Sequence, residues 1–249
     1  MSNPVFSQKV FNRAAAEQAN GTMTIKGTVT KTFILALMVL LGAAYTWKMF
    51  NQAVDPSALQ PWMWGGLIGG FVVAIIISFK PKLAQYLAPI YAVLEGFFLG
   101  AISAIFNELF AASAPGIVLN AILLTMMVTF SMLFIYRMNI IKVDGKFAKI
   151  MMIAISAIAF YYLVIIGLRI FGVYLPMLHN GGLLSIGISV VIVIVAAFSL
   201  LLDFNFIEKA SYAGAPKYME WYGAFGLMVT LVWLYLEILK LLAKVASRD

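Results

Sequence analysis

Three carboxylic acids sit in stretches that are otherwise almost free of charge: Glu95 in PIYAVLEGFFLGAIS, Asp203 in LLDFNFIE and Glu237 in LYLEILKLL. An ionisable side chain in hydrocarbon costs ~2.5 to 3.5 kcal/mol on insertion scales, so each needs a reason. The plainer reason is a neutral acid hydrogen-bonded between helices, fastening them together. For Glu95 that reading and a supporting functional role stand side by side, whereas Asp203 and Glu237 are read as functional. Two carboxyls in one desolvated site share a proton, because both cannot cheaply ionise at short separation. Such a pair is a proton-sensitive latch. Protonated, it locks two helices; ionised, it repels, hydrates and accepts a cation. Oxygen-only ligands suit calcium better than a transition metal, which makes Asp203 and Glu237 a weak candidate calcium site as well.

The rest of the chemical inventory is sparse. The chain has no cysteine, which removes disulfides, thiolate metal sites and thiol redox chemistry, and its single His179 cannot hold a metal or haem by itself. No cofactor is expected. The formal net charge is +7, with 17 Lys and Arg against 10 Asp and Glu. These basic residues cluster in loops, as topology determinants do, with no interleaved aromatics for base stacking, so nucleic acid is not an expected partner.

The elements that must position the acids are membrane spans. Of 249 residues 63% are hydrophobic and 11% charged, where soluble domains carry about 45 to 50% and about 25%. Seven apolar runs follow Lys31: Thr32 to Phe50, Trp62 to Phe79, Leu83 to Phe106, Gly116 to Tyr136, Phe147 to Phe171, Leu183 to Ile207 and Glu220 to Val245. Most approach the ~20 residues that cross ~30 Å of hydrocarbon as a helix. The expected fold is therefore an all-α integral membrane protein with seven spans. Residues 1–31 form an amino-terminal segment, 32–246 the transmembrane domain and 247–249 a tail. The loops are too short to hold a separate catalytic core.

Within the amino-terminal segment, Phe6, Val10 and Ala14 fall at helical spacing, predicting a short amphipathic surface helix. Met23, Ile25, Gly27 and Val29 alternate with threonines and Lys26, predicting an extended lead-in. The first ~25 residues lack the features of a signal peptide, so the first span is expected to act as the insertion signal. Pro89 alone among the prolines lies inside a span and should bend the third helix near its start. Gly65, Gly66, Gly69 and Gly70 give the second helix a small-residue face for close helix approach.

Lys9, Arg13, Lys26 and Lys31 precede the first span; Lys80 and Lys82 follow the second, Arg137, Lys142, Lys146 and Lys149 the fourth, and Lys209 and Lys217 the sixth. All these fall on one side, which the positive-inside rule makes cytoplasmic, with the amino terminus. Lys240, Lys244 and Arg248 at the opposite end are the one violation, which a re-entrant last helix would remove. Arg169 and Lys240 read as snorkelling side chains near the outer ends of their spans.

At the three acidic runs the chain resembles the Bax inhibitor-1-like, or transmembrane Bax inhibitor motif, family. MTIKGTVTKT from Met23 and GAPKYMEWYGAFG from Gly214 look like its bacterial branch. The resemblance implies six helices around a central seventh, residence in the bacterial cytoplasmic membrane, and a pH-sensitive calcium leak gated by an acid on the sixth helix paired with one on the seventh. Asp203 matches the first acid through DFNFI and Glu237 the second through LYL-acid. Two features depart from the pattern: the second acid is Glu rather than Asp, and GAPKYMEWYG lengthens the stretch between the acids.

That length creates a geometric difficulty. Counted inward from the same face, Asp203 is about 9 Å deep and Glu237 about 25 Å deep on straight helices. Contact requires the seventh helix to start two or three turns below the membrane, to be displaced, or to kink at a residue such as Gly223 or Gly226. Otherwise Asp203 has another partner, for which Lys80 and Lys82 are candidate countercharges as well as positive anchors.

The rival function is a non-conducting membrane regulator or scaffold that binds other membrane proteins, such as a protease or a death-pathway protein. It should tolerate amides at Asp203 and Glu237, which a proton latch should not. An enzyme is not expected. Asp203 lacks the Gly-x-Gly-Asp setting of an intramembrane aspartyl protease and the second acid is Glu, while His179, in a polar outer loop beside Asn180, Gly181 and Gly182, reads as solvated rather than catalytic. Lys240 is too near its span's end to carry retinal.

Overall fold

A computed structural model describes residues 21–52, 56–172 and 182–248. The expected amphipathic helix at Phe6 to Ala14, and His179, lie outside them. The order is α1 (Ile25–Gln52), a 3-10 turn (Pro56–Leu59), α2 (Gln60–Phe79), a second 3-10 turn (Pro81–Leu83), α3 (Ala84–Leu109), α4 (Ile117–Arg137), α5 (Gly145–Ile170), α6 (Leu183–Tyr212) and α7 (Met219–Ala246). All seven helices are long and apolar enough to cross a membrane. The all-α, seven-span fold is what the apolar runs specify, because in hydrocarbon only a helix satisfies its own backbone.

The chain divides into two compact units. One comprises Met1–Gly100 and Phe206–Met228, the other Ala101–Asn205 and Val229–Asp249. Helices α3, α6 and α7 each contribute a stretch to both.

In the first unit the glycines of α2 meet α3. A β-carbon on Gly66 would lie 2.5 Å from the Leu94 carbonyl oxygen and 2.9 Å from the Phe98 nitrogen, while one on Gly65 would meet nothing within 4 Å. The small-residue face is therefore used through Gly66, Gly69 and Gly70. A second such seam joins α1 to α3, where a β-carbon on Gly96 would lie 2.5 Å from the Val39 carbonyl and 3.0 Å from the Gly42 Cα. Backbones brought this close gain dispersion contacts, the main adhesive between helices where no hydrophobic driving force separates them from lipid.

The extended lead-in is corrected. Only Thr22 keeps a strand-like pairing, an antiparallel bridge to Pro216, flanked by Met23 N–H to Ala215 C=O (2.7 Å) and Lys217 N–H to Gly21 C=O (3.1 Å). Helix α1 begins at Ile25, two turns earlier than the apolar run suggests. The Thr24 hydroxyl accepts the Gly27 N–H (2.9 Å), acting as an amino-terminal cap, and Thr28, Thr30 and Thr32 donate their hydroxyls to carbonyls one turn back (3.0 Å each). Threonines that alternate like a strand are thus satisfied inside a helix.

The other boundaries fall near those expected, except that α6 runs on to Tyr212. Helix α3 passes through Pro89 as one element. Helix α7 is likewise uninterrupted across Gly223 and Gly226, so it is not broken there. Gly223 serves a close approach instead: a β-carbon there would meet Ile207 and Thr28, each at 3.2 Å. In the second unit α5 is capped by Asp144, whose carboxylate accepts the Phe147 N–H at 2.8 Å. Half of the apolar window of α7 is buried but only 6% of that of α5, so α7 lies far deeper in the protein than α5.

Candidate functional site

Asp203 and Glu237, both in the second unit, stand on facing stretches of α6 and α7, each with its own partners. Asp203 is hydrogen-bonded through its side chain to Thr230 of α7. Its second oxygen, Oδ2, is buried and has no hydrogen-bond partner. An orphaned carboxyl oxygen in a span is costly unless the group is neutral, hydrated or bound to a cation.

Glu237 is almost wholly buried, at 2% exposure. Its Oε1 accepts three hydrogen bonds, from Tyr162 Oη of α5 (2.8 Å), Trp233 Nε1 one turn earlier (3.2 Å) and Lys240 Nζ (2.6 Å). Lys240 also donates to Tyr162 Oη (3.1 Å) and lies 4.8 Å from the centre of that ring. The reading of Lys240 as a snorkelling side chain is therefore incomplete, since its ammonium is the counter-ion of Glu237. Lys244 donates to Ser189 Oγ at 2.8 Å, so two of the basic side chains that broke the charge rule at this end are held within the protein.

Asp203 and Glu237 are not brought together. Thr230 and Glu237 lie on one face of α7 two turns apart, ~10 Å along the axis. Asp203, bonded at the level of Thr230, is offset from Glu237 by that distance. A calcium ion takes oxygen ligands at about 2.3 to 2.6 Å, so the two carboxylates cannot share one in this arrangement. Among the described residues, no three His, Asp or Glu side chains gather as a metal-ligating group. Also in this unit, the Ser103 and Tyr235 hydroxyls are hydrogen-bonded at 2.6 Å in a buried position between α3 and α7.

Glu95 belongs to the first unit. It is hydrogen-bonded to Tyr91 one turn earlier, and its Oε1 lies 3.1 Å from where a Gly70 β-carbon would be. Tyr91 in turn packs edge-on against Phe225, with ring centres 4.9 Å apart. Glu95 thus fills the space that Gly70 leaves, a fastening contact between α2 and α3. Lys82 stands 6.0 Å from the Tyr218 ring centre and lines a cleft with Lys31, Gln85, Lys217 and Trp221.

The most heavily bonded acid is one that the sequence marks only as a helix start. Glu220, in the first turn of α7, is fully buried. It accepts from Thr24 N–H (3.0 Å), Thr24 Oγ1 (2.8 Å), Lys217 Nζ (2.8 Å) and Lys31 Nζ. A β-carbon on Gly27 would fall within the Glu220 carboxylate. The cap of α1 and the start of α7 are thereby tied into one polar knot. An acid in a first helical turn, opposite a lysine-rich lead-in, is the signal that could have found it. Tyr162 and Thr230, ordinary polar residues in apolar runs, carry no such signal.

Against this geometry stand the comparisons with known proteins. No curated protein and no solved structure was found to match the chain. A family model described as Bax inhibitor 1 like matches residues 3–247, nearly the whole sequence and all seven helices. This multi-span membrane protein belongs to the Bax inhibitor 1 like family.

Proposed function

We propose that the protein is a slow, pH-sensitive cation leak of the bacterial cytoplasmic membrane, with calcium as the transported ion and the amino terminus on the cytoplasmic side. The observation that carries this reading is Asp203 Oδ2, a carboxyl oxygen buried in a span with no hydrogen-bond partner. Protonated, Asp203 is neutral and rests against Thr230. Ionised, it recruits water or a cation, and the contact between α6 and α7 loosens. Flux therefore rises as pH rises through the titration of this group. Glu237 lies two turns further along α7 and is already neutralised by Lys240, so in this reading it is a second station along the path rather than the direct partner of Asp203. Passage is slow because the surrounding side chains are apolar and expose few polar atoms at a time. No catalytic residue and no cofactor enter this reading.

The test is calcium entry into liposomes holding the purified protein, across about pH 5 to 8, for the native chain, Asp203→Asn and Glu237→Gln. A flux that grows with pH and loses that dependence in Asp203→Asn supports the gate. Flux no greater than in empty liposomes, with insertion verified, eliminates the leak and leaves a non-conducting regulator that binds other membrane proteins.

A further inference from the structure

Beyond its first turn α7 carries three charged side chains, Glu237, Lys240 and Lys244, spaced three and four residues apart and therefore on one face. That face meets α5 and α6 within the second unit. Tyr162 of α5 bonds to both Glu237 and Lys240, while Lys244 donates to Ser189 Oγ (2.8 Å) and to the Ser185 carbonyl (3.4 Å) of α6. A polar seam thus runs from Glu237 toward the carboxyl end of α7.

The two ends of the Glu237–Lys240 pair are not equivalent. The acid side chain is 3% exposed and that of the lysine 39%. All three donors to the acid converge on Oε1, so none of them takes Oε2. The Tyr162 oxygen accepts from Lys240 while its proton goes to Glu237. Withdrawal of the lysine therefore frees acceptor capacity on two oxygens at once, and Tyr162 and Trp233 still hold the carboxylate in place. Lys240 is about 9 Å of helix from the end of α7 at Ala246, and its flexible stem can turn toward the headgroups.

We infer that the Lys240 ammonium is a tethered occupant of the cation station at Glu237, filling the place that a passing cation takes by displacing it. The inference rests on the reading of Glu237 as a station along a cation path. Exchange of one positive partner for another never leaves the buried carboxylate unpaired, which is its costly state in a span. The arriving cation has the Glu237 carboxylate and the Tyr162 oxygen as protein ligands and water for the rest, few enough for calcium to leave again. A group on a short flexible tether competes at an effective concentration of roughly millimolar or above. Lys240 thereby sets the concentration at which cations enter.

Terbium, a cation that seeks oxygen ligands as calcium does and emits when excited through a nearby indole, reads occupancy directly, because Trp233 is bonded to the same carboxylate. The full-length protein in detergent is titrated with terbium and, in competition, with calcium. Lys240→Met is expected to bind about tenfold or more tightly than the native chain. Adding Glu237→Gln to it should abolish the gain, and Lys244→Met should stay close to the native affinity. In the native chain, millimolar calcium should speed modification of Lys240 by an amine-acylating reagent, read by peptide mass spectrometry, and leave Lys244 unchanged. This second measurement needs no variant to fold. Unchanged affinity in folded Lys240→Met, an equal gain in Lys244→Met, or acylation of Lys240 indifferent to calcium overturns the inference. Calcium flux in liposomes separates it from the leak itself: tighter binding in Lys240→Met with no flux in any variant removes the leak and keeps the tethered occupant, whereas flux with binding and acylation unchanged removes the occupant alone.

Discussion

Asp203 on α6 meets Thr230 on α7, two turns short of Glu237. One hydroxyl therefore serves one carboxyl oxygen, and the other oxygen has no partner. Replacing Thr230 by valine keeps the shape and removes the donor, whereas serine keeps the donor. In liposome flux assays at neutral pH, Thr230→Val is expected to raise the leak by about fivefold, because the closed contact between α6 and α7 loses a hydrogen bond of ~1 kcal/mol, and Thr230→Ser to stay near the native flux. Equal flux in the two variants would separate Thr230 from the gate.

Glu237 and Lys240 form a one-sided dependence. The carboxylate is 3% exposed and the lysine side chain 39% exposed, so the lysine can return to water if its partner is lost while the acid cannot. Lys240→Met is expected to cost ~1 to 3 kcal/mol of stability, a buried-pair value reduced for solvent screening. Glu237→Gln should cost less, because the amide oxygen still accepts from Tyr162 and Trp233. The double variant should recover most of the Lys240→Met loss, and melting in detergent as a double-mutant cycle measures that coupling.

The knot at Glu220 makes a prediction about a glycine rather than an acid. Gly27→Ala places a methyl group where the carboxylate sits, so Thr24, Lys31 and Lys217 lose their acceptor together. Its melting temperature should fall at least as far as that of Glu220→Gln, which leaves the half-buried Lys31 without its countercharge at a cost of ~2 to 4 kcal/mol. A Gly27→Ala protein as stable as the native chain would mean that Glu220 has another place to go.

Two adjacent glycines on α2 should behave oppositely. Gly66→Ala drives a methyl group into the α3 backbone and should destabilise by ~1 to 3 kcal/mol. Gly65→Ala meets open space and should be neutral or stabilising by up to ~1 kcal/mol, the helix preference of alanine over glycine. Chemical or thermal unfolding in the same detergent compares the pair directly.

Length, hydropathy and the spacing of polar breaks determine the seven helices of this protein, because hydrocarbon leaves the backbone no alternative to bonding within each span. The rarity of charge in those spans likewise marks Glu95, Asp203 and Glu237 before any coordinates are known. The threonine-rich lead-in misleads because its alternation reports β-branched residues and not the carbonyls that their hydroxyls can satisfy one turn back. Which groups meet was decided by tertiary structure alone. Axial offset between two helices depends on how their ridges, glycines and connecting turns seat together, and a shift of two turns changes the partner of Asp203 from Glu237 to Thr230 without altering any residue. The same seating brings Glu220 against Thr24, Gly27 and Lys31, some 190 residues away in sequence, where no local pattern could announce it.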